Sequence, residues 1–177
     1  MQQFAYINVS FEDYRKTWNH LLPQDAKKES VAFWFANFNS FDNNINLDVC
    51  DTKLIQPLDY NSQNYDYNDL SDDVRISVIK KAHSSNTSVI EMHSHPFPSS
   101  SAAAFSYTDM CGLNETVSNL LWRLQKRPYT AIVVSPAAFD ALLWDLDPSK
   151  PRELTGIRVG GEMLTPTNFT IRGVNEI

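Results

Sequence analysis

Two histidines after a short β-branched segment constrain the fold of this chain more than any other feature. Residues 88–90 are Ser, Val and Ile and predict a strand, and His93 and His95 follow two residues apart. Residues two apart in a strand point to the same side of the sheet, so both imidazoles can meet at one point. Neutral imidazole is a common metal ligand, and the pattern therefore predicts a strand that leads into a metal site.

The third candidate ligand is Asp109, which opens the next predicted helix. Ser106 and Asp109 have the spacing of a helix start, with Ser106 as the cap and Asp109 in the first turn. A catalytic zinc takes three protein ligands and leaves one position for water, so His93, His95 and Asp109 are predicted to bind Zn2+. Two histidines alone would more simply be half-exposed side chains without a function, but Pro96 and the Ser-x-x-Asp context favour a metal site.

A glutamate at the beginning of a buried strand is the candidate general base. Glu29 is followed by a nearly continuous apolar run to residue 36, which is typical of a strand buried on both faces. On its own, Glu29 would be a solvated strand end, since burying a charge is costly unless a neighbour uses it. Glu91 shares the strand face of His93 and His95, and it is a second candidate for a base or a ligand.

Composition restricts the class of protein and of partner. The chain has 177 residues, enough for one packed domain, and residues 1–177 are predicted to form a single domain. A net charge of −6 without a long basic run argues against nucleic acid as a partner. No apolar run is long enough to span a membrane, and the two cysteines form no ladder or paired metal motif. We therefore expect a cytoplasmic protein without a membrane partner.

The order of the predicted elements indicates an α/β (α+β) fold in which helices flank a mixed sheet. Residues 37–46 are rich in Asn, Ser and Asp and predict the turn of a hairpin. Residues 59–69 predict a tyrosine-rich loop that is either a partner-binding segment or an ordinary solvated loop. Residues 97–105 predict a flexible loop at the rim of the site. Strands are expected at residues 4–9, 29–36, 45–49, 88–90, 129–134, 139–144 and 157–159, with helices after Ser10, Ser71 and Ser106.

These motifs together resemble those of the JAMM metalloproteases, also called the MPN+ or JAB domain family. The family pattern is a glutamate that opens a buried strand, then His-Ser/Thr-His-Pro, then Ser-x-x-Asp. Glu29, the run from His93 to Pro96, and Ser106 with Asp109 carry it here. The loop at residues 96–105 is longer than is usual in the family, and the small residue after the glutamate is Ala rather than the preferred Gly.

The resemblance implies a cytidine-deaminase-like JAB/MPN architecture with Zn2+ held by His93, His95 and Asp109. It implies a peptidase in which Glu29 is the general base and Ser106 donates to the oxyanion. Its expected substrate is a ubiquitin-like protein, cut from a conjugate or at its own tail, as in prokaryotic members. An activating enzyme encoded in the same operon is the further expected partner. Two alternatives remain open: a peptidase acting on a sulfur-carrier protein or a small peptide, and a non-catalytic MPN interaction module.

Overall fold

The structure is a computed structural model that describes residues 3–42, 44–96 and 103–174. In this part of the chain the helices are α1 (Phe11–Leu21), α2 (Asp72–Ser85), α3 (Tyr107–Arg123) and α4 (Phe169–Val174). A 3-10 turn covers Pro57–Asp59. The strands are β1 (Ala5–Val9), β2 (Val31–Phe41), β3 (Asn44–Leu54), β4 (Tyr60–Gln63), β5 (Asn68–Leu70), β6 (Ser88–Ser94), β7 (Tyr129–Val134), β8 (Phe139–Trp144), β9 (Arg152–Glu153), β10 (Gly156–Val159) and β11 (Glu162–Leu164).

Nine of these strands form one mixed sheet in the order β11-β10-β1-β3-β2-β6-β7-β8-β9. Strand β1 is parallel to both β3 and β10, and β6 is parallel to β7. The remaining neighbours are antiparallel, and β4 and β5 form a separate antiparallel hairpin. The predicted α+β fold, with helices and a mixed sheet, is confirmed at this level.

Helices cover both faces of the sheet and bury β2 between them. On one face, α1 places Trp18 against Trp34, and the Trp34 indole donates a hydrogen bond to Thr17 Oγ1 at 2.9 Å. On the other face, α2 and α3 contribute Val78 and Leu121 to a second apolar cluster. Burying side chains of this size contributes about 1.5–3 kcal/mol each. No described helix combines the length and apolar character needed to cross a membrane.

The hairpin predicted at residues 37–46 is confirmed, but its turn is much shorter than this range. Strands β2 and β3 stay paired from Asn37 opposite Asp48 to Phe41 opposite Asn44. Strand β6 pairs with β2 only as far as Ala36, and the side chains beyond that point are exposed. Pairing with β3 satisfies the backbone there while polar side chains face solvent. Local polarity cannot distinguish such an outer ladder from a loop.

The loop predicted at residues 59–69 needs revision, whereas the loop predicted at 97–105 is described only at its end. Residues 59–69 contain β4 and most of β5 rather than an irregular loop. The loop predicted at 97–105 lies outside the described residues as far as 102, and its described end is anchored. There, Phe105 N donates to Thr170 Oγ1 at 3.0 Å, and Thr167 Oγ1 donates to Ala103 O at 2.8 Å.

Candidate metal centre

The ends of three elements meet at the candidate site. Glu29 precedes β2, His93 lies in β6 with His95 just beyond it, and Asp109 lies in the first turn of α3. Val31 is opposite His93 in the antiparallel β2–β6 pair. Continuing that register by two residues places Glu29 opposite His95, so strand pairing brings together residues far apart in the sequence.

Backbone contacts fix the segment that carries the two histidines. Ser94 N donates to Ser30 O at 3.0 Å, and Ser30 N donates to Ser94 Oγ at 2.9 Å. The buried Ser94 side chain therefore joins the strands on the side away from the imidazoles, as alternation predicts. His95 N donates to Val134 O at 2.8 Å, which extends the pairing with β7 beyond the end of β6.

A capping box holds Asp109 in place. Ser106 Oγ accepts a hydrogen bond from Asp109 N at 3.1 Å, and Ser106 N donates to Asp109 Oδ2 at 2.7 Å. The helix start predicted at Ser106 is confirmed. The same carboxylate faces the histidines, with Oδ1 3.4 Å from His93 Nε2 and Oδ2 3.4 Å from His95 Nε2.

The donor atoms have the spacing of a tetrahedral metal site. The two histidine Nε2 atoms of His93 and His95 are 3.3 Å apart, and one ligand atom from each of the three residues lies within 4.8 Å of the others. Ligands at about 2.0–2.1 Å from a tetrahedral zinc lie about 3.4 Å from one another. These three residues could therefore hold a metal ion, and the donor set fits zinc.

The charges of the site favour a cation at its centre. Burial acts to raise the pKa of Asp109, but hydrogen bonds from His93 and His95 outweigh burial and hold it well below the usual range. Burial acts to lower the pKa of His93, yet the hydrogen bond and charge of Asp109 raise it above the usual value. Both directions mean that the surroundings stabilise a negative carboxylate and a positive partner.

Glu29 lies beside the ligand group and is almost fully buried, with 3 % of its surface exposed. Its Oε1 is 3.6 Å from His95 Nε2, and its Oε2 accepts a hydrogen bond from Asn68 Nδ2 at 2.6 Å. Burial raises the pKa of Glu29, although the nearby His93 and the Asn68 hydrogen bond act in the opposite direction. A carboxylate held in this way has more affinity for a proton than a solvated one.

The β4–β5 hairpin holds the backbone around Glu29. Glu29 N donates to Asn64 O at 2.9 Å, and Gln63 Nε2 donates to Glu29 O at 2.7 Å. Val31 N donates to the hydroxyl of Tyr60 at 2.8 Å. Burial raises the pKa of Tyr60 to about 12, so this hydroxyl stays neutral. Asn68 was not predicted as a site residue, and its only signal in the sequence is its place in a segment rich in Tyr and Asn.

Glu91 lies on the same strand face but outside this group. Its Oε2 accepts a hydrogen bond from the Tyr129 hydroxyl at 2.8 Å. Among the described residues its carboxylate oxygens are more than 4 Å from the ring nitrogens of both ligand histidines, whereas Glu29 Oε1 is 3.6 Å from His95 Nε2. Glu91 lines a cavity of about 520 Å³ that also reaches Glu29, His93 and Asp109.

The other two histidines, His20 and His83, lie outside the ligand group. His20 Nε2 is 3.1 Å from Val31 O, and His83 Nε2 is 3.2 Å from Gln125 Nε2.

Comparison of the chain with protein-family models and with curated proteins finds no match. Fold and site thus define a mixed α+β protein with a His-His-Asp group that could hold a metal ion beside a buried glutamate.

Proposed function

We propose that this protein is a zinc-dependent peptidase of the JAMM (MPN+/JAB) type that cuts ubiquitin-like proteins from conjugates or processes their C-terminal tails. One observation carries the proposal: the buried Glu29 carboxylate lies 3.6 Å from His95 Nε2, next to three donors spaced for one tetrahedral metal. A non-catalytic module has no use for a buried carboxylate at this point, because its burial is costly.

The proposed roles follow from the chemistry of each group. Zinc, when bound by His93, His95 and Asp109, supplies a water of lowered pKa and a Lewis acid for the scissile carbonyl. Glu29 accepts a proton from the attacking water and later donates it to the leaving amine. Burial suits it to the first step because a raised pKa makes the carboxylate a better proton acceptor.

Ser106 is proposed as the donor to the oxyanion. Its oxygen accepts the Asp109 N–H, which fixes its position at the start of α3. A hydroxyl that accepts one hydrogen bond still has its own proton to donate. Capping and oxyanion stabilisation can therefore operate together, and removing one such donor typically lowers kcat by about 100- to 1,000-fold.

The cavity beside the site is suited to an extended chain. One wall is the β4–β5 hairpin with Tyr67 and Asn68, and the opposite wall is α3 with Leu113 and Thr116. Extended tails commonly bind in such grooves, beside or on a strand. A ubiquitin-like C-terminus is a chain of this kind, and its length outside a folded domain allows it to reach Glu29.

The experiment offers zinc-loaded protein a panel of ubiquitin-like proteins joined through their C-termini to a lysine side chain or to a linear fusion. Short unstructured peptides with the same tail sequences serve as competing substrates. We expect cleavage of the folded substrates at a higher kcat/KM, and loss of all cleavage with a chelator. Preference for the free peptides would contradict the deconjugase assignment and favour a general metallopeptidase. Zinc binding without any cleavage would favour the interaction module.

A further inference from the structure

We propose that Glu91 and Tyr129 form a subsite that binds a basic side chain, lysine or arginine, of the substrate close to the scissile bond. The proposal rests on the proposed function only in naming a peptide as the ligand. The subsite itself is inferred from the shape and charges of the cavity.

The cavity connects the metal centre to Glu91. It begins at Glu29, His93 and Asp109 and continues between α2 and α3 over β2, β6 and β7. Glu91 precedes His93 by two residues on the same strand face, a distance of about 7 Å along the strand. A side chain that reaches Glu91 while its backbone lies near the metal therefore belongs to a residue within about two positions of the cut bond.

Tyr129 fixes the Glu91 carboxylate on the floor of this cavity. Tyr129 is 1 % exposed, and its hydroxyl donates to Glu91 Oε2 at 2.8 Å. Burial and the adjacent Glu91 charge raise the pKa of Tyr129, so it remains a donor. Among the described residues, Glu91 Oε1 has neither a hydrogen bond nor an ion pair. That oxygen is available to a ligand that enters the cavity.

The surroundings of Glu91 suit a long basic side chain. The cavity walls include apolar surface from Phe33, Val89, Ala131, Leu113 and Leu120. Lysine and arginine have apolar stems that pack on such surface while the charged end reaches a polar group. A neutral side chain would gain the same packing but would leave the carboxylate without a charged partner.

The charge of the cavity favours a cation over an anion. Outside the metal centre its walls carry four carboxylates and two guanidinium groups, contributed by Asp66, Asp69, Asp72, Glu91, Arg75 and Arg123. Both arginines are exposed on the covering helices, whereas Glu91 is half-buried on the sheet. No ion pair joins either arginine to Glu91 within the described part of the chain. The deeper position is therefore left to a cation from outside.

The test measures binding, so that it does not depend on catalysis. A set of fluorescent peptides is made in which each position near the scissile bond in turn carries Lys, Gln or Glu. Each peptide is titrated into zinc-loaded Glu29→Gln protein. We expect one position at which Lys binds about tenfold more tightly than Gln, as for a close charge pair. Glu91→Gln keeps the side-chain volume and an acceptor for Tyr129, and it should reduce this preference to less than about twofold. Glu91→Lys should shift the preference towards Glu.

Glu115→Gln is the matched control, because Glu115 is exposed on α3 and does not line the cavity. It should keep the full preference for Lys. The subsite would be overturned if the Glu91→Gln protein showed the same preference for Lys as the protein that retains Glu91. It would also be overturned if no peptide position favoured Lys. The thermal midpoint of the Glu91→Gln protein verifies that this variant folds. The conclusion therefore holds even if the charge-reversed Glu91→Lys protein does not fold. Cleavage is measured separately, in zinc-loaded protein that retains Glu29. Cleavage there without a basic preference in binding would leave the proposed function intact, and a basic preference without cleavage there would contradict that function alone.

Discussion

At the scale of single residues, the Asp109 carboxylate has two kinds of partner. It accepts a hydrogen bond from the backbone at the N-terminus of α3, and it faces the imidazoles of His93 and His95. Asp109→Asn separates them, because an amide oxygen can still accept from Ser106 N but is a poor metal ligand. We expect zinc affinity to fall by more than about 100-fold while helix content is unchanged. Elemental analysis and circular dichroism measure the two effects.

His95→Ala should lose zinc to the same extent, and His83→Ala is its control because His83 lies outside the ligand group. Stoichiometric zinc in the His95→Ala protein would remove His95 from the site.

This ligand group could be predicted because its spacing is local, with alternation for the histidines and a capping box for Asp109. The position of Glu29 beside them depends on strand pairing, and the apolar run after Glu29 indicated only a strand end, to which the family resemblance added the role of base.

The Ser106 hydroxyl permits a second residue-scale prediction. Glycine is a tolerated helix cap, so Ser106→Gly should cost only a few tenths of a kcal/mol in stability. The same change removes the proposed oxyanion donor, and kcat should fall by about 100-fold or more with zinc retained. Steady-state kinetics and thermal unfolding on one sample separate these effects. Unchanged kcat would limit Ser106 to capping.

At the scale of elements, the β4–β5 hairpin positions Glu29 through Asn68. Asn68→Ala removes a hydrogen bond to a buried carboxylate, an interaction of about 1.5–3 kcal/mol. We expect kcat to fall by about tenfold or more while zinc stoichiometry stays constant. Asn61→Ala is a matched control, since Asn61 lies on the same hairpin and bonds to Asp69 instead. Equal kcat in the two variants would contradict a positioning role for Asn68.

The hairpin also shows where sequence reasoning stops at this scale. The segment from 59 to 69 has a loop-like composition, and if it were only a partner-binding loop its deletion would affect substrate binding alone. Its contacts with Glu29 and Val31 mean that the deletion also disturbs the proposed base. These contacts join residues about 30 to 40 positions apart, and local propensity carries no information about them.

For the whole molecule, the candidate ligands join β6 to the start of α3 across a long connection. A metal that binds only the folded state should therefore stabilise it, by about 3 kcal/mol at a free zinc concentration one hundred times Kd. We expect the thermal midpoint to rise by about 5 to 10 °C. The same zinc titration should not shift the midpoint of the His95→Ala protein, and an equal shift there would place the stabilising metal elsewhere.

The fold class was predictable because strongly apolar strands alternate with amphipathic helices along the chain. The order of the nine strands was not, because β1 lies between β3 and β10, whose positions in the sequence are far apart. Short elements such as β9, β11 and α4 were missed as well. The residues of β9 and β11 form strands because neighbouring strands supply hydrogen bonds. The start of α4 is held by Asp140 of β8, whose carboxylate accepts a hydrogen bond from Thr170 N.

The most direct test of Glu29 as the general base is hydrolysis by the zinc-loaded Glu29→Gln protein. The amide keeps the size of Glu29 and can still hydrogen-bond, but it cannot accept a proton. We predict that cleavage of a tail-linked ubiquitin-like substrate falls by at least about 100-fold, with zinc content and thermal midpoint unchanged. The Glu115→Gln control should retain full activity. Cleavage by the Glu29→Gln protein at the rate of the control would contradict a mechanism in which Glu29 is the base.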